Sequence, residues 1–276
     1  MSRIDVSTYQ EELACARSAA RNAAETIRTR REKEFGVRYK ALNDLVTDVD
    51  VAVEKQIQAE LHKAFPEDAW MGEESDDGAR LPEGRVWIVD PIDGTTNFTY
   101  GFPVYCVSIA LWEGKKPKVG VVVEVTRNEE FVAVAGEGAW LDSRPVTVSE
   151  LQEPGTALVG TGFAYNDHEM LDAYIALFHY LTLETQGMRR PGSAAFDLCC
   201  VACGRFQGFY EYALKPWDVA AAGLIVQEAG GVVTDWTGGD QWLDGERIVA
   251  GNHGLHAWLL IQIERFIPAS YLPPKL

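Results

Sequence analysis

Apolar and small residues recur at helical spacing at the start of the chain. Between about Val6 and Phe35 they return every three or four positions, and the same period runs from about Asp48 to Ala64, just before Pro66. This spacing gathers apolar side chains on one face of a helix, and proline ends such a run. The sequence therefore begins with two predicted amphipathic helices.

The pattern changes after the second predicted helix. Short runs rich in β-branched and aromatic residues follow at 86–90, 104–112, 118–125 and 130–136. Such runs, separated by Gly, Pro and Asn, are typical of strands. Hairpin turns are predicted at 114–115 and 127–128. Pro91 is expected to end the first strand at Asp90, because proline cannot donate to the sheet.

From about residue 150, predicted strands and helices alternate. The strands are predicted at 156–162, 208–212, 231–235 and 247–251. The helices are predicted at 168–181, 193–204, 217–230 and from about Asn252. This order indicates a layered α+β fold. We treat 1–276 as one compact unit with approximate halves 1–150, containing helices and an antiparallel sheet, and 151–276.

Composition and charge narrow the class of protein. The chain has 276 residues, of which 47% are hydrophobic, and its net charge of −16 disfavours direct binding of nucleic acid. It lacks a signal-like segment and any run of about 18 apolar residues, so a soluble, cytoplasmic protein is expected. The odd count of five Cys fits a reducing compartment, and the C-x-x-C at 200–203 is interpreted as core packing.

Two carboxylates emerge where the first strand ends. Asp90 and Asp93 flank Pro91-Ile92 and are followed by Gly94-Thr95. Glycine lets the backbone approach a ligand, and the free N–H groups of a helix beginning here could bind a phosphate beside the two acids. The same segment therefore offers candidate metal ligands and a candidate phosphate site.

Two distant acids complete the predicted cluster. Glu73 lies in a loop after the second helix, and Asp218 lies at the start of an apolar helix. Mg²⁺ prefers oxygen ligands. With Asp90 and Asp93, these acids supply four negative charges, which about two or three Mg²⁺ ions would balance or exceed. A cavity of this kind could accept a phosphate despite the charge of the whole chain.

Several motifs, in order along nearly the whole chain, resemble those of the inositol monophosphatase family. They are DLVTDVD, GEES, WIVDPIDGTTNF, RRPGSAAFDL, PWDVAAAGLIVQEAGG and TGGDQWL. The resemblance implies an αβαβα sandwich. It also implies a magnesium-dependent, lithium-sensitive phosphatase, a homodimer, that hydrolyses a phosphate monoester by direct attack of a metal-activated water.

The resemblance also implies roles for individual residues. The expected metal ligands are Glu73, Asp90, the Ile92 carbonyl, Asp93 and Asp218. The expected catalytic residues are Glu73, Thr95 and Asp93, with Thr95 and Glu73 orienting the water. The expected substrate contacts are Asp93, Gly94, Thr95, Ala194 and Glu211. Asp50 and Lys40 match a supporting acid and an outer lysine, although the spacing after Lys40 is the shorter one seen in bacterial members.

Other functions compete with inositol monophosphate hydrolysis. Haloacid-dehalogenase-type phosphatases form an aspartyl phosphate on D-x-D, whereas two residues separate Asp90 from Asp93. Within the resembled family, GTTNF favours inositol phosphates over the nucleotide phosphates associated with GTKEF. Fructose bisphosphatase, or another sugar or nucleotide phosphatase, stays open. A different class is a regulatory protein that binds the transcription machinery, as some similar bacterial proteins do.

Overall fold

The structure, a computed structural model, describes residues 9–41, 44–75, 81–164, 169–244 and 246–272. The helices in this part of the chain are α1 (Gln10–Arg31), α2 (Asp48–Ala64), α3 (Thr95–Tyr100), α4 (Leu171–Glu184), α5 (Ala194–Ala202), α6 (Pro216–Glu228) and α7 (His253–Phe266). The strands are β1 (Val37–Ala41), β2 (Asp44–Thr47), β3 (Ala69–Gly72), β4 (Arg85–Asp93), β5 (Cys106–Glu113), β6 (Lys116–Glu124), β7 (Glu129–Val134), β8 (Gly138–Leu141), β9 (Arg144–Val146), β10 (Leu158–Thr161), β11 (Gly187–Arg189), β12 (Gly208–Tyr212), β13 (Val232–Thr234) and β14 (Arg247–Gly251).

The two predicted N-terminal helices are confirmed as α1 and α2. Their buried faces are formed by the residues that set the period, among them Ala16, Ala20 and Ile27 on α1. The start of α2 is fixed by a capping box, in which Thr47 accepts from first-turn amides and Asp50 accepts from the Thr47 amide. This cap holds Asp50 in a buried position, 0% exposed.

The first sheet has seven strands in the order β3-β4-β5-β6-β7-β8-β9. Neighbours are antiparallel except for the parallel pair β3 and β4. The hairpin predicted at 114–115 is confirmed, with positive φ at both residues, as type I′ turns require. The predicted end of β4 at Asp90 is wrong. Pairing resumes at Asp93 opposite Cys106 after an irregularity at Pro91-Ile92, so proline interrupts the strand without ending it.

The second sheet has five strands in the order β11-β10-β12-β14-β13. Its strands β10, β12, β13 and β14 lie where the sequence predicts them. The short strands β1, β2, β3, β8, β9 and β11 were not predicted. Three to five residues are too short to show a period of two, and most of these runs have at most one β-branched residue, whereas all three residues of β13 are β-branched.

The elements stack in five layers. One face of the seven-stranded sheet packs on α1 and α2, through side chains such as Val89, Ile109 and Val121. Its other face and the near face of the five-stranded sheet enclose α5 and α6. The far face of the five-stranded sheet packs on α4 and α7. The layer order is therefore α-β-α-β-α, and the predicted fold class is confirmed.

Helix α6 lies directly against the first sheet. A Cβ atom added to Gly120 of β6 would stand 2.6 Å from the Ala221 carbonyl oxygen of α6, so only glycine permits this approach. Ser108 of β5 donates to the Trp217 carbonyl at 3.2 Å, which ties the start of α6 to the same sheet. These contacts fix Asp218, the residue after Trp217, near the end of β4.

Two further features of the described chain concern the length of its apolar helices and the cysteines. None of its helices combines the length and the apolarity needed to cross a bilayer. Cys200 is a free thiol in the core beside α6, and Cys203 is a free, partly buried thiol that packs against the same core. The interpretation of the C-x-x-C segment as core packing is confirmed for these residues.

Candidate active site

A cavity of about 600 Å³ opens where β4, α3, α5, β12 and α6 meet. The predicted metal, catalytic and substrate residues all line it: Glu73, Asp90, Ile92, Asp93, Gly94, Thr95, Ala194, Glu211 and Asp218. They come from segments far apart in sequence. The structure thus brings together every one of these predicted residues.

Three carboxylates form the centre of the cavity. Asp90, Asp93 and Asp218 each offer one oxygen, and these oxygens lie within 4.8 Å of one another. Glu73, directly after β3, lines the same cavity. Clustered carboxylate oxygens with room for solvent and substrate match the ligand preference of Mg²⁺. This donor set therefore fits a divalent cation.

The acids are electrostatically crowded. Burial, and then the charges of Glu73, Asp93 and Asp218, raise the pKa of Asp90 well above its usual range. Burial and Asp93 likewise raise the pKa of Asp218. Burial raises the pKa of Asp93 to about 6, although hydrogen bonds oppose the shift. Without a cation, full ionisation of these clustered carboxyl groups is energetically costly.

The N-terminus of α5 holds Asp93. The Ser193 hydroxyl and the Ala195 amide each donate to Asp93 Oδ2 at 2.7 Å. Ser193 is also the N-cap of α5, since its side chain accepts from the Phe196 amide. Sequence reasoning missed Ser193 as a site residue. Its position as a capping residue one step before Ala194 was the available signal.

The loop that carries Glu73 is anchored to α2. The Glu74 amide donates to Glu54 Oε2 at 2.7 Å. Glu54 is a buried acid, 4% exposed, on a helix whose other buried residues are mostly apolar. This residue was also missed, because an acid beside an apolar helix stripe ordinarily faces solvent.

Thr95 connects the cavity to α2. Its hydroxyl lies 3.0 Å from Asp50 Oδ1 and 2.9 Å from the Ile92 carbonyl oxygen. Burial raises the pKa of Asp50 to about 6, against the opposing hydrogen bonds from Thr47. The predicted supporting position of Asp50 therefore corresponds to a direct contact with Thr95. The side chain of Lys40 lies outside the described residues.

Gly94 shapes the turn from β4 into α3. Its φ of +99° favours glycine, and an added Cβ would lie 3.1 Å from the Val104 carbonyl oxygen. The first amides of α3 have no acceptor one turn earlier within the helix. They lie on the cavity wall formed by Gly94 and Thr95.

Asp218 occupies the first turn of α6 and serves two purposes. Its Oδ2 accepts from the Lys215 amide at 2.7 Å, which is a capping contact. Its carboxylate also belongs to the cluster with Asp90 and Asp93. The capping contact leaves the other carboxylate oxygen for the cavity, so capping does not exclude metal binding.

Glu211 lies on β12 and lines the same cavity. Burial, opposed by the Arg190 guanidinium, raises its pKa to about 8. A Cβ added to Gly162 would lie 1.9 Å from Glu211 Oε1, so the backbone after β10 presses directly on this carboxylate. Arg190 and Gly162 also line the cavity and were not predicted.

The fold and the carboxylate cluster define a layered α/β protein with an acidic centre suited to a divalent cation. The sequence model of the inositol monophosphatase family matches residues 8–268. The chain belongs to the inositol monophosphatase family. The family resemblance seen in the motifs is thereby confirmed, and with it a phosphatase-type hydrolase class.

Relatives in this family carry two kinds of name. The chain is 42% identical over 267 residues to a Nus factor SuhB of Pseudomonas aeruginosa, covering 95% of this chain and 98% of that one. It is 42% identical over 240 residues to inositol monophosphatase 2 of Solanum lycopersicum, covering 85% and 91%. A solved inositol monophosphatase from Anabaena superposes with a TM-score of 0.84 at 36% identity, covering 95% and 98%.

Proposed function

We propose that this chain hydrolyses phosphate monoesters in the presence of Mg²⁺, with inositol monophosphate as its preferred substrate. The observation that carries the proposal is the acidic cluster of Asp90, Asp93 and Asp218 in one cavity with the start of α3. Similarity to inositol monophosphatase 2 of Solanum lycopersicum supports the substrate class.

The metal ligands in this proposal are the cavity acids and one carbonyl. Glu73, Asp90, the Ile92 carbonyl, Asp93 and Asp218 would hold about two or three Mg²⁺ ions. When bound, Mg²⁺ would lower the pKa of water and stabilise the leaving oxygen. Bound cations would also reverse the local charge, so that a chain of net charge −16 could bind a phosphate dianion.

The backbone at Gly94 and Thr95 would hold the phosphate. Unpaired amides at a helix start attract anions, and the positive φ of Gly94 brings them to the cavity wall. The phosphate would then lie between these amides and the acids at the end of β4. In this position the phosphorus atom would face Thr95 and Glu73, the proposed catalytic residues.

Thr95 would orient the attacking water. Its hydroxyl proton is shared between the Asp50 carboxylate and the Ile92 carbonyl. A lone pair of its oxygen thus stays available to accept a proton of the water, while Glu73 accepts the other. Asp50 is fixed by the α2 capping box, so it preorganises Thr95 without touching the substrate.

The leaving group would contact a further set of cavity residues. Asp93, the Ala194 backbone and Glu211 line the cavity and would bind hydroxyl groups of the alcohol. Binding of several hydroxyls favours a polyol such as inositol over an apolar alcohol. Fructose 1,6-bisphosphate and nucleotide phosphates are the alternative substrates to compare.

The test is a panel of phosphate esters. Phosphate release is measured from inositol 1-phosphate, fructose 1,6-bisphosphate and a nucleoside 3′-phosphate, with Mg²⁺ or with EDTA. We expect the inositol ester to be fastest and EDTA to abolish release, with recovery on addition of Mg²⁺. Undiminished activity after exhaustive chelation would refute the metal proposal, and a faster alternative ester would reassign the substrate.

Lithium provides a second measurement on the same centre. Li⁺ tolerates oxygen ligands but carries one charge, so in place of Mg²⁺ it would stabilise the departing oxygen less. We expect LiCl to inhibit more strongly than NaCl or KCl at equal ionic strength, which controls for screening. Equal inhibition by the three salts would argue against substitution at the metal centre.

A second candidate function is binding to the transcription machinery. The protein would act as a cytoplasmic homodimer in this role. The observation that favours it is the 42% identity to a Nus factor SuhB. Affinity purification with wild type and an inactive Asp90→Asn variant separates this role from catalysis. Equal recovery of transcription proteins with the wild type and with Asp90→Asn would support a non-catalytic role. Recovery with neither protein would refute this second function. Light scattering measures the oligomeric state.

A further inference from the structure

Asp197 is a buried acid on the cavity wall that the proposed chemistry does not use. It lies in α5, three residues after Ala194, and helical residues at this spacing share a face. Both residues line the cavity. Asp197 is 1% exposed, although it lies in a helix whose other residues are apolar or small.

One oxygen of this carboxyl group is unpaired. Among the residues that the structure describes, none forms a hydrogen bond with Asp197 Oδ1. Buried polar atoms in native proteins nearly always have a partner, and an unpaired one is costly. An unpaired acceptor on the wall of a ligand cavity indicates that the ligand supplies the donor.

The surroundings of Asp197 select the kind of donor. Its pKa is raised by burial and by the nearby charges of Glu211 and Asp93, while the Arg190 guanidinium opposes this shift. The positive charge of Arg190 beside these carboxyl groups disfavours binding of a positively charged ligand group next to Asp197. A neutral hydroxyl donor fits both the acceptor and the neighbouring positive charge.

We propose that Asp197 is a specificity-determining residue that accepts a hydrogen bond from a hydroxyl group of a polyol phosphate, beside Glu211. The inference rests on the proposed phosphatase function and deepens it. Gly162 confines the Glu211 carboxylate from the side of β10. Asp197 and Glu211 thus present two carboxyl groups in a fixed arrangement, which discriminates between polyols by the positions of their hydroxyls.

The experiment compares an ester with hydroxyls on its alcohol and one without. Steady-state hydrolysis of inositol 1-phosphate and of phenyl phosphate is measured for wild type, Asp197→Leu and Asp197→Asn. Leucine has no acceptor, so we expect kcat/KM for inositol 1-phosphate to fall at least about tenfold, chiefly through KM, with phenyl phosphate changed less than about twofold. Asparagine keeps an acceptor oxygen and should restore most of the discrimination.

Controls separate this role from a structural one. Asp235→Asn changes another buried acid, 2% exposed, that does not line the cavity, and it should leave the ratio between the two esters unchanged. Should the leucine variant not fold, Asp197→Ala removes the acceptor by truncation alone. An equal fall for both esters, or no recovery with asparagine, would overturn the proposal.

A binding measurement distinguishes this inference from the proposed function. Inositol 1-phosphate and phenyl phosphate are added with Ca²⁺ in place of Mg²⁺, and the rise in Tm is recorded. In the Mg²⁺ hydrolysis assay, failure of the wild-type protein to release phosphate from both esters would refute the proposed activity. An inositol 1-phosphate shift that is the same in wild type and Asp197→Leu would refute the role of Asp197, whatever the activity.

Discussion

The acids of the cavity are arranged for a ligand at the expense of the metal-free protein. Asp90 is 2% exposed, and its pKa is raised well above the usual range by burial and by the neighbouring acids. The folded metal-free protein therefore binds protons more tightly there than the unfolded chain does. Its stability consequently falls as pH rises above the ordinary carboxyl range.

We expect Asp90→Asn to stabilise the metal-free protein and to inactivate it. The amide oxygen can still accept from the Ile92 amide, which lies 2.9 Å from Asp90 Oδ1, while the charge is lost. In EDTA at pH 8 the Tm of the variant should be about 2–4 °C above that of the wild type. This difference in Tm should shrink toward pH 5. Phosphate release with Mg²⁺ should fall at least about 100-fold.

Calorimetry across this pH range checks the stability effect. Asp172→Asn, at an exposed position at the start of α4, is the matched control and should show neither change. A metal-free Asp90→Asn protein that melts below wild type would mean that the Asp90 charge is compensated within the protein.

The sequence identifies cavity residues where their position is itself unusual. Asp90 and Asp93 follow an apolar strand, and Asp218 opens an apolar helix, so these acids could be predicted. Asp197, on the cavity wall, and Glu54, which anchors the loop of Glu73, could not, because an acid within a helix ordinarily faces solvent. Only the packing of α5 and α2 reveals that both are buried.

At the scale of elements, α6 approaches β6 closely at Gly120. We expect Gly120→Ala to destabilise the protein by about 1–3 kcal/mol, because the new methyl group would overlap the Ala221 carbonyl. Gly155→Ala is the matched control, since a Cβ there meets nothing within 4 Å, and it should change stability by less than about 0.5 kcal/mol. Urea unfolding measures both. Equal stability of the two variants would show that α6 can shift freely on the sheet.

Helix α7 carries a titrating group away from the cavity. His256 is 6% exposed, its Nε2 lies 2.8 Å from Thr234 Oγ1, and burial lowers its pKa to about 4. The unfolded chain binds the proton at higher pH, so stability is full above about pH 6.5 and is lost as pH falls toward 4.

In the wild type, we expect protonation of His256 to lower the free energy of unfolding by about 2 kcal/mol between pH 7.5 and 4.5, a figure reduced for residual solvent screening. In His256→Gln this loss should be absent. Urea unfolding at pH 4.5 and 7.5 measures the difference. The exposed His62→Gln is the control and should retain the wild-type dependence. A His256→Gln protein with an unchanged pH profile would assign the acid sensitivity to other groups.

Length, composition and boundary residues together decide which elements the sequence predicts. The bounds of α2 agree with the prediction to the residue, because a proline and an apolar stripe mark them. The sequence predicts strand β4 too short, because proline ordinarily ends a strand, whereas here the pairing resumes at Asp93. Strands β8 and β9 are not predicted, since three or four residues carry too little periodicity and GAWL and RPV lack the β-branched run that marks the equally short β13.

At the scale of the whole molecule, two sheets enclose a shared helical layer. Periodicity in the sequence reveals which face of an element is apolar, but not which element covers it. The order of the five layers therefore followed from the family resemblance, and not from the pattern of apolar positions. The cavity lies at this shared layer, because α5 and α6 contribute Ala194 and Asp218.

The enclosure of α6 has a consequence for amide hydrogen exchange. Residues 219–226 are almost entirely shielded from solvent, so their amides exchange only when the two sheets separate. A cation bound through Asp218 must leave before that opening. At a Mg²⁺ concentration of about 100 times Kd, exchange in α6 should slow about 100-fold, whereas the edge strand β9 should exchange as before. Mass spectrometry of these two peptides would therefore report metal occupancy in the absence of any substrate, and equal slowing of both would show that β9 opens only together with the core.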